Sequence, residues 1–165
     1  MDYRVAVITS SDKGAAGERE DLSGPAIKEI AEANGFIVVR QTILPDERSL
    51  LAAKMKQICD EDIADLILTT GGTGFSSRDV TPEATMDIAE KLIPGIPEAM
   101  RTNSLKYSDS AMLSRAVAAI RGRTLIVNLP GSPKAVRENL EFAISALYHG
   151  VEMLKSHGSA DCARK

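Results

Sequence analysis

A glycine-rich segment, Thr70-Gly71-Gly72-Thr73-Gly74, follows a short apolar run that ends at Thr69. Glycine lets backbone amides approach an anion closely and adopt positive φ. The hydroxyls of Thr73 and Ser76 add hydrogen-bond donors. The segment lacks the Gly-Lys-Ser/Thr ending of a P-loop and the glycine spacing of a dinucleotide-binding fingerprint. It therefore predicts either a phosphate-binding loop or a tight connection after a strand.

Two aspartates stand next to predicted helix starts. Asp79 occurs in Arg78-Asp79-Val80-Thr81-Pro82, and Asp46 follows Pro45. Either carboxylate could hold Mg²⁺ against nucleotide phosphates, because Mg²⁺ is bound by one or two carboxylates together with phosphate oxygens and water. The structural alternatives are an ion-paired turn at Asp79 and a helix N-cap at Asp46. The capping and metal-binding roles are compatible, since one carboxylate oxygen can cap while the other faces a ligand.

Pro130-Gly131-Ser132-Pro133-Lys134 leads into a long predicted helix. The free amides and the dipole at a helix N-terminus attract phosphate, and Lys134 is placed to add a positive charge. A Ser132 cap followed by a first-turn proline explains the same residues without any ligand. The segment is a second candidate anion site.

Strands alternating with helices must position these segments. Apolar runs rich in β-branched residues predict strands at 4–9, 36–44, 65–69, 116–120 and 124–129. Helices are predicted to start near Pro25, Asp46, Thr81, Pro97 and Pro133. Residues 10–23 hold glycines and charges without an apolar period, which predicts a mobile surface loop.

This order of elements predicts an α/β fold of three layers. It comprises a mainly parallel sheet, helices on both faces and one antiparallel hairpin strand. Segments 10–24, 45–46, 70–81 and 130–134 each follow a predicted strand. Loops after parallel strands meet at one edge of the sheet, so we expect these four to converge. Residues 1–155 are predicted to form one domain and residues 156–165 a polar tail.

Composition narrows the classes of partner. The 165 residues carry 20 Lys+Arg and 23 Asp+Glu, a formal charge of −3. This balance excludes a strongly basic nucleic-acid binder, and the 4% aromatic content offers few base-stacking surfaces. No apolar run reaches the roughly 20 residues that a membrane span needs. Cys59 and Cys162 are too few for a disulfide scaffold and lack metal-site spacing, so we expect a soluble, cytoplasmic protein with reduced thiols.

Taken together, these segments resemble a known family. Thr70-Gly-Gly-Thr-Gly74 followed by Arg78-Asp-Val-Thr-Pro-Glu-Ala-Thr85 is similar to the signature of the MogA/MoaB-type molybdenum cofactor biosynthesis proteins. The resemblance spans about residues 4–155. It continues through Ser10-Ser-Asp12, Ser23-Gly-Pro25, Pro45-Asp-Glu47, Ala111-Met-Leu-Ser-Arg115 and Leu129-Pro-Gly-Ser-Pro133.

The resemblance implies an adenylyl transfer. In it, the terminal phosphate of molybdopterin attacks the α-phosphorus of MgATP, giving adenylylated molybdopterin and pyrophosphate. The substrate phosphate is the nucleophile, so the protein needs only to position two anions and neutralise their repulsion. A molybdate-inserting partner enzyme would use the product, and a homotrimer is the implied assembly.

The resemblance also carries site residues. Asp46 and Asp79 match two family aspartates linked to activity, and we assign both to Mg²⁺ and catalysis. Ser104 matches a serine at the molybdopterin site. The expected substrate- and nucleotide-binding set is completed by Thr70, Gly71, Gly72, Thr73, Gly74, Ser76, Pro130, Gly131, Ser132 and Lys134. The family often has Gln or Asn in place of Ser132, which leaves a direct contact by this shorter side chain open.

Two other functions remain compatible with the sequence. A non-catalytic protein of the same fold could bind molybdopterin as a scaffold, without turnover. A nucleotide hydrolase of the competence-damage-inducible type shares the fold and part of the glycine motif. ATP-dependent formation of adenylylated molybdopterin would distinguish an adenylyltransferase from both of these proteins.

Overall fold

The computed structural model describes residues 2–156. Its strands are β1 (Tyr3–Ser10), β2 (Phe36–Leu44), β3 (Leu66–Thr70), β4 (Lys91–Leu92), β5 (Ala118–Arg121) and β6 (Thr124–Leu129). Its α-helices are α1 (Asp12–Ala15), α2 (Ser23–Ala33), α3 (Arg48–Asp60), α4 (Thr81–Ile88), α5 (Gly95–Ser104) and α6 (Pro133–Lys155). A 3₁₀ helix, Asp109–Leu113, follows α5. Within residues 2–156, none of the helices has the length and apolar character that crossing a membrane requires.

The six strands form one sheet in the order β2-β1-β3-β6-β5-β4. β1 lies parallel to β2 and β3, and β3 lies parallel to β6. β5 pairs antiparallel with both β6 and β4. The predicted parallel sheet with its hairpin is therefore confirmed. β4 adds a second antiparallel pairing, at the far edge of the sheet, which its two exposed residues did not indicate.

Helices cover both faces of the sheet, as the α/β prediction requires. On one face α2, α5 and α6 pack on a cluster that includes Ile27, Met100 and Leu140. On the other face α3 and α4 bury Leu51, Met55, Ile58, Ala84 and Ile88. Leu51, Met55 and Ile58, spaced at i, i+4 and i+7, thus place one face of α3 in the core. The three layers bury alternate residues of β1 on opposite sides.

Two predicted segments differ from the structure, and a third lies almost entirely outside the described residues. The segment 10–23 contains α1, because Ser11 caps it: Ser11 Oγ accepts a hydrogen bond from Gly14 N at 2.9 Å. The helix predicted near Asp46 begins at Arg48. Of the predicted polar tail only Ser156 is described, and the rest, with Cys162, lies outside the described residues.

A buried carboxylate fastens the amino ends of β1 and β3 to the end of α6. Asp65, whose side chain is 5% exposed, accepts hydrogen bonds from Arg4 N at 2.8 Å and Arg4 Nη2 at 2.9 Å, and it pairs with Lys155. Burial alone would raise the pKa of Asp65, but the bonds from Arg4 and Lys155 outweigh it and lower this pKa to about 2. The ionised form is therefore the stabilising one.

We expect Asp65→Asn to lower the free energy of unfolding by about 2–3 kcal/mol at pH 7, because two cations lose their anion. The folded-state pKa of about 2 lies below the ordinary 3.8. The stabilisation is therefore present above about pH 4 and is lost as the pH falls toward 2. Urea unfolding of both proteins across this pH range measures the effect.

Asp87→Asn is the matched control. Asp87 also accepts two hydrogen bonds from one arginine, Arg48, but its side chain is 39% exposed. Its replacement is expected to cost less than about 1 kcal/mol. Equal losses in the two variants, or an Asp65→Asn loss that stays constant down to pH 2, would contradict the assignment.

Candidate functional site

The carboxyl ends of β1, β2, β3 and β6 surround a cleft of about 540 Å³, hereafter the rim cleft. Every one of the four predicted loops contributes to it. Its lining includes Ser10, Asp21, Asp46, Gly71, Gly72, Asp79, Gly131 and Ser132. The expected convergence of the loops is therefore confirmed.

The glycine loop runs so close to neighbouring backbone that side chains cannot be accommodated. Gly71 and Gly72 have φ of 89° and 69°, values that favour glycine. A Cβ on Gly71 would lie 2.5 Å from Ser10 O, and one on Gly72 would collide with Thr81 Oγ1. Both glycines line the rim cleft. Bare backbone thus forms part of its wall, as a phosphate-binding loop requires.

A second chamber of about 400 Å³, hereafter the side pocket, lies between α5, the 3₁₀ helix and the start of α6. Ser104 lines it, is buried, and donates through Oγ to Asn139 Oδ1 at 3.1 Å. Arg101 and Glu138 are the charged residues of its lining, so the pocket has no excess of either sign. Ser108, Ser110 and Ser114 add further hydroxyl-bearing residues. Apolar side chains, among them Phe75, Met100 and Leu113, also line it. The chamber therefore suits an uncharged ring system that carries polar groups.

One wall separates the two chambers. Gly71 and Gly72 face the rim cleft, whereas Thr73 and Gly74 line the side pocket. The loop after β6 divides in the same way, with Pro130 in the side pocket and Gly131 in the rim cleft. Thr70 Oγ1 donates to Pro130 O at 2.6 Å and ties the two loops together. Ligands in the two chambers would therefore lie side by side, each against the same two loops.

Asp46 is held by the loop after β1. Its Oδ1 accepts from Ser10 Oγ at 2.6 Å and its Oδ2 accepts from Asp12 N at 2.9 Å. The N-cap position of α3 is Glu47 and has no side-chain capping bond, so the prediction that Asp46 caps this helix is wrong. The carboxylate instead faces the rim cleft with both oxygens oriented.

Asp79 sits in a turn of the β3–α4 loop. Its Oδ2 accepts from Ser76 N at 2.9 Å. The turn alternative is confirmed, but its ion pair is not, because the guanidinium of Arg78 bonds Asp12 and Glu47 instead. Asp79 also lines the rim cleft. The turn fixes one carboxylate oxygen and leaves the other available for a ligand.

Arg115 organises the glycine loop, although the sequence did not single it out as a site residue. It donates through Nε to Gly74 O at 2.7 Å and through Nη2 to Asp79 O at 2.7 Å, and it pairs with Glu83. Burial acts to raise the pKa of Glu83, but the hydrogen bond from Arg115 brings it below its ordinary value. Arg115 ends the segment 111–115, which is part of the family resemblance, and this was the signal in the sequence that could have identified it.

Of the remaining predicted site residues, some line a chamber and others do not. Ser132 caps α6, accepting from Ala135 N at 3.2 Å, so the capping alternative is confirmed. It also lines the rim cleft, and its contact with a ligand stays a prediction. Lys134 lies outside both linings, with its side chain 85% exposed and its Nζ 3.8 Å from Glu138 Oε1. Ser76 lies in the Asp79 turn and outside both linings.

The charge of the rim cleft suits a metal-bound anion better than a free one. Four carboxylates line it, those of Glu20, Asp21, Asp46 and Asp79, against one guanidinium, that of Arg19. A polyphosphate would be repelled unless a cation intervened. Within residues 2–156, no group of three or more His, Cys, Asp or Glu could hold a metal by itself. Two carboxylates nevertheless suffice for Mg²⁺ when phosphate oxygens and water complete its shell.

Comparisons with known proteins identify relatives of this chain. The family model described as "Probable molybdopterin binding domain" matches residues 6–149. A curated molybdopterin adenylyltransferase of Helicobacter pylori is 43% identical over 152 residues, 91% of this chain and 86% of the relative. That of Escherichia coli K12 is 39% identical over 140 residues, 84% and 72% of the two chains. The solved molybdopterin biosynthesis enzyme MoaB of Thermus thermophilus has a TM-score of 0.87 and 44% identity, covering 92% of this chain and 96% of its own.

The crowding at Gly72 predicts that even alanine is costly there. We expect Gly72→Ala to lower the free energy of unfolding by about 3 kcal/mol, from left-handed backbone strain together with overpacking. Removing the colliding hydroxyl with Thr81→Ala is expected to recover part of the loss. Urea unfolding of the single and double variants measures both effects.

Gly17→Ala measures the cost of the left-handed backbone conformation without a steric collision. Gly17 has a φ of 75°, yet nothing lies within 4 Å of its would-be Cβ. This variant is expected to cost about 1 kcal/mol. If Gly72→Ala cost no more than Gly17→Ala, the close approach of the glycine loop to Thr81 would be refuted.

Proposed function

This chain belongs to the molybdopterin-binding domain family, and we propose that it is a molybdopterin adenylyltransferase, like its curated relatives at about 40% identity. In the reaction, a phosphate oxygen of molybdopterin forms a bond to the α-phosphorus of ATP. The bond from that phosphorus to the pyrophosphate oxygen breaks, and pyrophosphate leaves. The products are adenylylated molybdopterin and pyrophosphate.

The observation that carries the proposal is the shared wall. Two chambers of different character adjoin along the glycine loop and the loop after β6. A reaction between two bound phosphates needs this arrangement, because each substrate must be held while its reacting end reaches the other. The carboxylate-lined rim cleft suits MgATP. The side pocket, with buried Ser104, suits the pterin of molybdopterin.

Mg²⁺ fits the rim cleft as the cation that accompanies ATP. Asp46 and Asp79 would hold it, since their carboxylates line the cleft from two different loops. Bound there, Mg²⁺ would offset the charge of the triphosphate and of the departing pyrophosphate. The chain's own part is to orient the Asp46 oxygens through Ser10 and the amide of Asp12. Backbone at Gly71 and Gly72 would border the phosphates.

We also propose a partner enzyme, a cellular location and an oligomeric state for this protein. An activated, adenylylated product calls for a downstream enzyme that inserts molybdate, which we propose as the functional partner. ATP and Mg²⁺ are cytoplasmic, so the cytoplasm is the proposed location. We also propose a homotrimer, supported by the family resemblance and by apolar side chains exposed on the edge strand β2, namely Ile37, Val39 and Ile43.

Asp79→Asn is expected to reduce adenylyl transfer about 100-fold or more, comparable to removing one strong electrostatic contributor. Asn keeps an oxygen that can accept from Ser76 N, so the turn is preserved. The lost charge weakens Mg²⁺ binding. Incubation of the variant with molybdopterin and MgATP, followed by mass spectrometry of the product, measures the rate.

Asp46→Asn is expected to behave in the same way. Its amide nitrogen can donate to Ser10 Oγ, whose hydroxyl rotates, so the local fold tolerates the change. Asp87→Asn, on the exposed side of α4, serves as a control that keeps full activity. Near-normal turnover by Asp79→Asn at saturating MgATP would remove the metal assignment. Wild-type protein that binds molybdopterin without ATP-dependent conversion would instead indicate a scaffold.

The homotrimer predicts a particle mass of about 53 kDa, three times the 17.7 kDa chain. Burial of the apolar residues on β2 in an interface would favour assembly. Light scattering at micromolar concentration measures this mass. A mass equal to one chain would refute the proposed assembly.

A further inference from the structure

An ion cluster of Asp12, Glu47 and Arg78 lies beside the rim cleft. Arg78 donates to Asp12 through Nε and Nη2, both at 2.9 Å, and to Glu47 Oε1 through Nη2 at 2.9 Å. The three side chains come from the loops after β1, β2 and β3. One planar guanidinium therefore joins all three loops, in a bidentate geometry that lysine cannot reproduce.

The cluster continues directly into Asp46. Asp12 Oδ1 accepts from Asp46 N at 2.9 Å, and Asp46 Oδ2 accepts from Asp12 N at 2.9 Å. Each residue thus bonds its carboxylate to the amide of the other. This reciprocal pair fixes the loop of Asp46 relative to the loop that carries Asp12. Arg78 in turn fixes Asp12.

Both proposed metal-binding residues are chain neighbours of the cluster, Asp79 of Arg78 and Asp46 of Glu47. We propose that Arg78 is a positioning residue that sets the separation of the Asp46 and Asp79 carboxylates by bracing their two loops through Asp12 and Glu47. The inference rests on the proposed function, since it concerns the two carboxylates assigned to MgATP. Arg78 itself lies outside the lining of both chambers.

Stability alone does not explain so specific a cluster. The side chains of Arg78, Asp12 and Glu47 are 50%, 43% and 49% exposed, and ion pairs of this exposure contribute little to unfolding free energy. The pair of Arg48 with Asp87 has the same bidentate form and similar exposure, but it joins α3 to α4 away from the cleft. Arg48 therefore supplies a matched control for Arg78.

The test compares Arg78→Lys and Asp12→Asn with Arg48→Lys. The first readout is the affinity of Mn²⁺ for the protein in the presence of α,β-methylene-ATP, measured by electron paramagnetic resonance of free Mn²⁺. The second is hydrogen exchange at the amides of Asp12 and Asp46, measured by NMR. We expect Arg78→Lys and Asp12→Asn to weaken Mn²⁺ binding about tenfold or more, as replacing a residue behind a metal ligand does. Their exchange should accelerate, whereas Arg48→Lys should match wild type in both readouts.

Thermal unfolding close to that of wild type in all three variants verifies that positioning, rather than folding, has changed. If wild type binds Mn²⁺ with the analogue and Arg78→Lys binds it equally well, the inference is overturned. If wild type binds no Mn²⁺ with the analogue, the proposed function fails, and exchange decides the inference alone. Faster exchange at Asp12 and Asp46 in Arg78→Lys then supports it, and unchanged exchange overturns it.

Discussion

Four parallel strands end at one edge of the sheet, and the loops that follow them pack so closely that their backbones are in direct contact. Gly71 leaves no room for a side chain beside Ser10 O, and a Cβ on Gly131 would lie 3.4 Å from Gly71 Cα. This approach brings residues from distant parts of the chain into one cleft. Parallel α/β sheets place ligands at this edge for the same reason. The two chambers and their common wall both depend on it.

The same edge of the sheet brings several carboxylates together in the rim cleft, and hydrogen bonds stabilise their charge. Asp46 has a hydroxyl and an amide as donors, and Asp79 has the amide of Ser76. Two of the nearby arginines bond the protein itself: Arg78 bonds Asp12 and Glu47, and Arg115 bonds loop carbonyls. The chain thus leaves its cleft carboxylates without a strong cationic partner among the described residues. A divalent cation carried by the nucleotide would supply that charge.

Much of this arrangement could be predicted from the sequence. The runs that form β1, β3 and β6 are mostly apolar and do not alternate with polar residues, which is typical of strands covered on both faces. The loop convergence then follows from parallel topology. The placement of Asp46 and Asp79 at this edge could be predicted because each lies in a loop that follows a strand, and their metal-binding role stays a prediction. Two-residue β4 carries no such pattern. The turn α1 depends on a single serine cap within a stretch of glycines and charges.

The interactions between loops could not be predicted. The partners of Arg115 lie 41, 32 and 36 residues away, and those of Asp46 lie 36 and 34 residues away. No local pattern shows which distant groups the side chains of Arg115 and Asp46 will bond. Lys134 shows the converse, because a lysine near a helix start suggested a phosphate contact, whereas its nearest partner is Glu138, one turn along α6.

A crystal structure of the protein with Mn²⁺ and α,β-methylene-ATP tests the account most directly, because anomalous scattering locates the metal independently of the nucleotide. We expect a manganese peak coordinated by Asp46 and Asp79. The triphosphate should lie along Gly71 and Gly72, with the side pocket around Ser104 left to the pterin. A nucleotide bound in the side pocket, or a manganese ion away from both aspartates, would contradict it.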